Sequence, residues 1–77
     1  MIPLYGFLEG DTIGLLILAD EKETLQSIRD RLKASAAVRV APRAEGYVLV
    51  KEKKIPLTAR AIEAGLEPLD RFDVVWS

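Results

Sequence analysis

Neither cysteine nor histidine occurs anywhere in the 77 residues. The first absence excludes disulfide staples, thiolate nucleophiles and thiolate metal sites. The second removes the commonest general base and the commonest transition-metal ligand. Charge of one sign is also lacking: 11 basic residues face 12 acidic ones, for a net charge of −1, so no global field draws the chain to nucleic acid or to an anionic membrane. No long hydrophobic run exists either. The longest, "IGLLILA" (13–19), is far too short to span a bilayer. The opening "MIPLYGFLEGD" has no basic region ahead of an apolar one and is interrupted by Pro3 and Gly6, so it does not read as a signal peptide. The expectation is a cytoplasmic protein, with no nucleic acid and no membrane among its partners.

What is present is an ordinary apolar share of 49%, enough for a packed core. At this length a chain buries only about 60% of its unfolded surface, so packing is marginal and a partner would add to it. We read 1–77 as a single domain. Ile2–Leu8 and Ile13–Ala19 are apolar, strand-like runs joined by a short turn with Glu9, Gly10 and Asp11, a hairpin pattern. The period then changes. Leu25, Ile28 and Leu32 fall on one helical face, with Thr24 as N-cap and the helix fading through Ala34 to Ala37. "VRVAPRAEG" is a connector. Tyr47–Lys51 returns to strand character, Lys53 and Lys54 form a turn, and Pro56 limits a fourth strand at Ile55 to a short edge piece. Thr58 caps a helical turn through Ile62, and Gly65 ends it. In "DRFDVVWS", Phe72, Val74 and Trp76 alternate with Arg71, Asp73 and Val75, the period of a half-buried strand. One helix can cover one face of a mixed four- to five-stranded sheet whose first and last strands are parallel neighbours at the centre. The fold class is α+β, a β-grasp or ubiquitin-like arrangement with one main helix and a short helical turn.

Catalytic constellations are missing from the pattern. Asp70 and Asp73 flank Phe72 as strand-end charges, Ser27, Ser35 and Ser77 have no base to activate them, and there is no nucleophile elbow or glycine-rich phosphate loop. Ubiquitin-type modifiers and sulfur carriers need a flexible Gly-Gly tail. This sequence finishes Trp76-Ser77, so such a role requires a longer natural chain. Between Arg39 and Arg60 six basic residues meet two acidic ones, with Tyr47 the one aromatic among them, a pattern that suits a solvated or partner-facing edge better than a nucleic-acid site. The anomaly is again "IGLLILA". At a sheet edge, Ile13, Leu15 and Ile17 turn inward, and Gly14, Leu16 and Leu18 face the side that a lone domain would make polar. Tyr5 with Phe7, or Leu4 with Leu8, adds apolar surface there. Isolated exposed leucines are normal on small proteins; a face shielded by another protein also explains why the chain carries no chemistry.

The stretches "FLEGD", "ETLQSIRDRL", "VRVAPR", "YVLVKEKK" and "EAGLEPLDRFDVVW" together resemble the small gamma subunits of bacterial multicomponent toluene and alkene monooxygenases, the family of toluene 4-monooxygenase system protein B. The resemblance spans nearly the whole chain, and its most specific parts are Arg39-Val40-Ala41-Pro42-Arg43 and the series Ala64-Gly65-Leu66, Pro68, Asp73-Val74-Val75. It implies a ubiquitin-like, non-catalytic subunit that docks on the large catalytic subunit of a hydroxylase. No cofactor is then expected in this chain, and a diiron centre is expected in the partner, whose Glu-x-x-His ligand pairs this histidine-free sequence does not contain. The interface candidates are Leu16 and Leu18 for apolar contacts and Arg39 and Arg43 for polar ones, since arginine pairs bidentately with carboxylates. The second reading is a free-standing ubiquitin-like adaptor without conjugation activity.

Overall fold

The computed structural model describes residues 1–11, 13–41 and 46–76. Five strands and one helix follow in the order β1 (Ile2–Leu8), β2 (Leu15–Ala19), α1 (Leu25–Ala36), β3 (Tyr47–Val50), β4 (Lys53–Ile55) and β5 (Arg71–Val75). The sheet order is β2-β1-β5-β3-β4. β1 and β5 are parallel at the centre, and the other pairings are antiparallel. This is the β-grasp arrangement, an α+β fold, and β2 occupies one edge of it.

Alternation sorts every strand into two faces. Ile2, Leu4, Gly6 and Leu8 of β1 turn inward with Ile17 and Ala19 of β2, Val48 and Val50 of β3, and Phe72 and Val74 of β5. They meet Leu25, Ile28, Leu32 and Ala36 of α1, all fully buried. Leu4 and Leu8 therefore belong to the core, and Tyr5 and Phe7 to the opposite face. At Gly6 the sheet and helix approach so closely that a Cβ would lie 2.7 Å from Phe72 Cζ and 3.0 Å from Leu32 Cδ2. Trp76 closes the open end of the core. Its backbone N–H donates to Glu9 Oε1 and its indole N–H to the Glu9 carbonyl, each at 3.1 Å. Arg29 is buried on α1 because its Nη1 donates to the Gly46 carbonyl at 2.9 Å, which holds the end of the connector against the helix.

The start of α1 is satisfied from two directions. Thr24 Oγ1 accepts from Ser27 N–H, as an N-cap does. The N–H groups of Leu25 and Gln26 donate to the carbonyls of Ala59 and Leu57, so the segment before β5 is itself part of the cap. In that segment Gly65, at φ 76°, donates to Ile62 O while Leu66 N–H donates to Ala61 O, the paired bonds of a Schellman stop.

Three local boundaries differ from the sequence reading. β2 begins at Leu15 and not at Ile13: the Asp11 carboxylate accepts from Ile13 N–H at 3.2 Å, bending the chain there, and Ile13 stays exposed. The β3–β4 turn is Lys51-Glu52, both left-handed at φ 52° and 66°, while Lys53 and Lys54 are already in β4. The register, Val50 opposite Lys53, leaves a two-residue turn of the primed kind that matches strand twist. The helical turn before Gly65 starts at Arg60 and not at Thr58, because Glu63 Oε1 reaches back to Arg60 N–H at 2.8 Å in the manner of a capping box.

Candidate interaction surface

The helix covers one face of the sheet; the other face is the candidate site. Its edge is built by β2, where Leu16 is 56% exposed and Leu18 49%. Register sets Tyr5 opposite Leu16 and Pro3 opposite Leu18, so four apolar side chains share one corner of the sheet. Tyr5 is itself exposed. Next along the hairpin, Phe7 lies across Gly14, with its ring so close that a Cβ on Gly14 would stand 2.6 Å from Cζ. An aromatic ring laid over a cross-strand glycine shields backbone that the glycine cannot cover.

The middle of the face is charged. Arg71 stacks its guanidinium 4.1 Å from the Phe7 ring centroid and pairs with Asp73 at 2.9 Å. That pairing holds the Arg71 pKa above its ordinary value. Beyond it lie Tyr47, Leu49 and Val75, all half-buried, and Lys54 Nζ sits 4.9 Å from the Tyr47 ring centroid. The face thus consists of an outer apolar corner on β1 and β2, a charged band on β5, and a second apolar strip toward β3.

Of the sequence candidates, Leu16 and Leu18 come together on this face. Arg39 is placed elsewhere, in a bidentate ion pair with Asp11 at the β1–β2 connection: Nη2 to Oδ2 is 2.9 Å, and Nε is 3.2 Å from both carboxylate oxygens. Asp11 raises the Arg39 pKa by that hydrogen bond. Arg43 lies outside the described residues. The carboxylates weighed for catalysis have structural partners, Asp73 on Arg71 and Asp70 accepting from Glu67 N–H. Among the described residues no group of three or more Asp, Glu, His or Cys is placed to hold a metal ion. No helix among them is long and apolar enough to cross a membrane.

Sequence reasoning missed how the edge of β2 is finished. Arg31 of α1 reaches over it, donating from Nη2 to the Leu18 carbonyl at 2.6 Å and from Nη1 to Glu23 Oε1 at 2.7 Å. Glu23 also accepts from Ser27 Oγ at 2.7 Å and from Asp20 N–H at 3.2 Å. Burial acts to raise the Glu23 pKa, but the bonds from Ser27, Arg31 and Asp20 outweigh it and hold the carboxyl below its usual value. Only the (i, i+4) spacing of Glu23 and Ser27 is visible in the sequence.

The family model described as toluene-4-monooxygenase system protein B (TmoB) matches residues 1–76. The chain belongs to the TmoB family. No curated protein sequence matches it. Among solved structures, a chain of the toluene 4-monooxygenase HD complex with the inhibitor 4-bromobenzoate superposes with a TM-score of 0.89 at 24% identity, covering 99% of this chain and 98% of that one. Ubiquitin of Caldiarchaeum subterraneum gives 0.78 at 14% identity, over 99% and 92%. A structure described as a molecular mimic of SUMO in DNA repair gives 0.78 at 15%, over 96% and 89%. These likenesses establish the ubiquitin-like fold of this TmoB family member, and the family model adds the lineage.

Proposed function

We propose that this TmoB family chain is the small, non-catalytic subunit of a bacterial multicomponent monooxygenase acting on aromatic or alkene hydrocarbons, and that it docks on the large catalytic subunit of the hydroxylase. The observation that carries the reading is the family match over residues 1–76. The solved relative, itself part of a toluene 4-monooxygenase complex, agrees with it. Docking explains the outer corner of the sheet, where Leu16 and Leu18 are exposed beside Tyr5 and Pro3. Burial of apolar area of this kind supplies most of the free energy of association, and polar groups at the rim set orientation. Arg39 and Arg43 are the polar candidates. Arg39 would meet the partner with the part of its fork that Asp11 does not engage.

In this reading iron chemistry resides in the large subunit. Among the described residues the carboxylates form no metal-holding group, and the sequence has no histidine with which to complete a diiron site. The chain contributes a rigid β-grasp that covers apolar surface on its partner and fixes that partner's orientation. Its location is cytoplasmic, and 1–77 acts as a single domain. The free-standing adaptor finds support only in the shared fold, which is common to many roles.

The test is assembly. Leu16→Asp with Leu18→Asp places two charges on an already exposed face, so the isolated fold should keep its thermal midpoint within a few degrees. Recovery of the small subunit with a tagged large subunit should fall at least tenfold. Undiminished recovery removes this corner from the interface, and failure of the wild-type chain to co-purify at all removes the subunit reading.

A further inference from the structure

The two free edges of the sheet are protected in different ways. β4 is three residues long, carries Lys53 and Lys54, and stops at Pro56, which are the usual devices against edge-to-edge pairing. β2 has none of these. Leu15–Ala19 is apolar throughout, with no lysine, proline or inward charge.

Its backbone shows what is exposed there. Tyr5 N–H donates to Asp70 O, and Pro3 O accepts from Leu69 N–H, so the polar groups of Pro3 and Tyr5 point toward β5. Their partners in register, Leu18 and Leu16, therefore point N–H and C=O away from β1, along the outer edge. At the far end, Asp20 is closed off by Glu23, whose carboxylate takes its N–H and whose own N–H meets its carbonyl at 2.9 Å. The Leu18 carbonyl is closed by Arg31. The N–H and C=O of Leu16 and the N–H of Leu18 are left at the edge.

We infer that Arg31, held in place by Glu23, is an edge guard that keeps β2 from pairing with β2 of a second copy of this chain. An antiparallel β2–β2 pair about a two-fold axis is self-complementary and closed. With Leu16 opposite Leu16 of the other copy, the Leu18 carbonyl must accept from residue 14 across the axis. With the axis at Ile17, it must accept from Leu16. In both registers a strand amide would have to compete with the Arg31 guanidinium for the Leu18 carbonyl. Such a pair would also join the exposed leucines of two copies into one continuous patch, which supplies the attraction that the guard opposes. The inference does not rest on the docking reading, because it concerns the isolated chain.

Arg31 is 44% exposed at its side chain, so Arg31→Ala leaves the core untouched. Sedimentation equilibrium of the purified full chain should give monomer mass for the wild type, and a concentration-dependent rise toward twice that mass for Arg31→Ala. In the variant, amide exchange at Leu16 should slow at least tenfold as concentration rises. Adding Leu16→Pro, which removes the outward N–H without touching the β1 ladder, should return the mass to monomer. An Arg31→Ala chain that stays monomeric overturns the proposal. So does a dimer in which Leu16 exchange is unchanged, or a wild-type chain that already dimerises. Tighter capture of the large subunit by Arg31→Ala without self-association would assign the edge to that partner and likewise overturn it.

Discussion

The ring of Phe72 rests directly against the Cα of Gly6, at a distance that leaves no room for a methyl group between the central strands and α1. β1 and β5 are parallel neighbours with Gly6 opposite Phe72, so the largest fully buried side chain is seated by the smallest residue. Gly6→Ala should destabilise the chain by about 1–3 kcal/mol, the cost of overpacking a filled core. At this size each kcal/mol lowers Tm by roughly 4–8 °C. The measurement is thermal unfolding followed by the single Trp76, and an unchanged Tm would show that the ring can move aside.

The β3–β4 turn predicts a change of opposite sign. Lys51 and Glu52 both hold left-handed backbone without being glycine or asparagine, a conformation that costs most residues about 1 kcal/mol or more. Lys51→Asn with Glu52→Gly supplies the residues such a turn favours and should stabilise the chain by about 1 kcal/mol. A chemical-denaturation midpoint that does not rise would mean that the two side chains gain something in their present places that offsets the strain.

These two sites also show what a sequence can and cannot carry. The parallel centre, the edge position of β2 and the outward turn of Leu16 and Leu18 follow from alternation and from one amphipathic helix, which are local patterns with a global consequence. The sequence does not distinguish Tyr5–Phe7 from Leu4–Leu8 as the outward pair, because all four are apolar; the packing of Gly6 under Phe72 decides it. The Lys51-Glu52 turn gave no signal because its residues are not the ones such turns prefer. Alternation alone starts β2 two residues early because Ile13 continues it, whereas the Asp11 side chain accepts from Ile13 N–H and the strand begins at Leu15. Arg31 at the β2 edge was illegible for a different reason. Its bond to Leu18 spans 13 positions and exists only once helix and sheet are packed.

Glu23 gives a pH dependence whose sign is fixed by its environment. Its folded pKa lies below the ordinary value, so the ionised form is bound more tightly in the native state by Ser27, Arg31 and the Asp20 N–H. A depressed carboxyl contributes stability above its unfolded pKa, about 4.3, and loses it as pH falls through the lower folded value. Glu23→Gln should therefore be less stable than the wild type at pH 6 to 7, with the gap closing as pH is lowered into the acid range. Urea unfolding across that range measures it. A gap independent of pH would place the contribution of Glu23 in its uncharged contacts.

The Asp11–Arg39 pair separates an internal role from an external one. Both carboxylate oxygens engage the guanidinium, and the Asp11 side chain is almost wholly shielded while Arg39 is not. Asp11→Ala and Arg39→Ala should lower Tm in the same direction, and the double variant should be less destabilised than the sum of the two, as expected for residues in one bond. Co-purification with the large subunit distinguishes them further. If Arg39 also meets a carboxylate of the partner, Arg39→Ala should reduce recovery at a temperature where both variants remain folded, while Asp11→Ala should not. Equal recovery of the two would confine Arg39 to tying the end of α1 to the β1–β2 connection, and the docking surface would then rest on the leucines of β2 and their neighbours on β1.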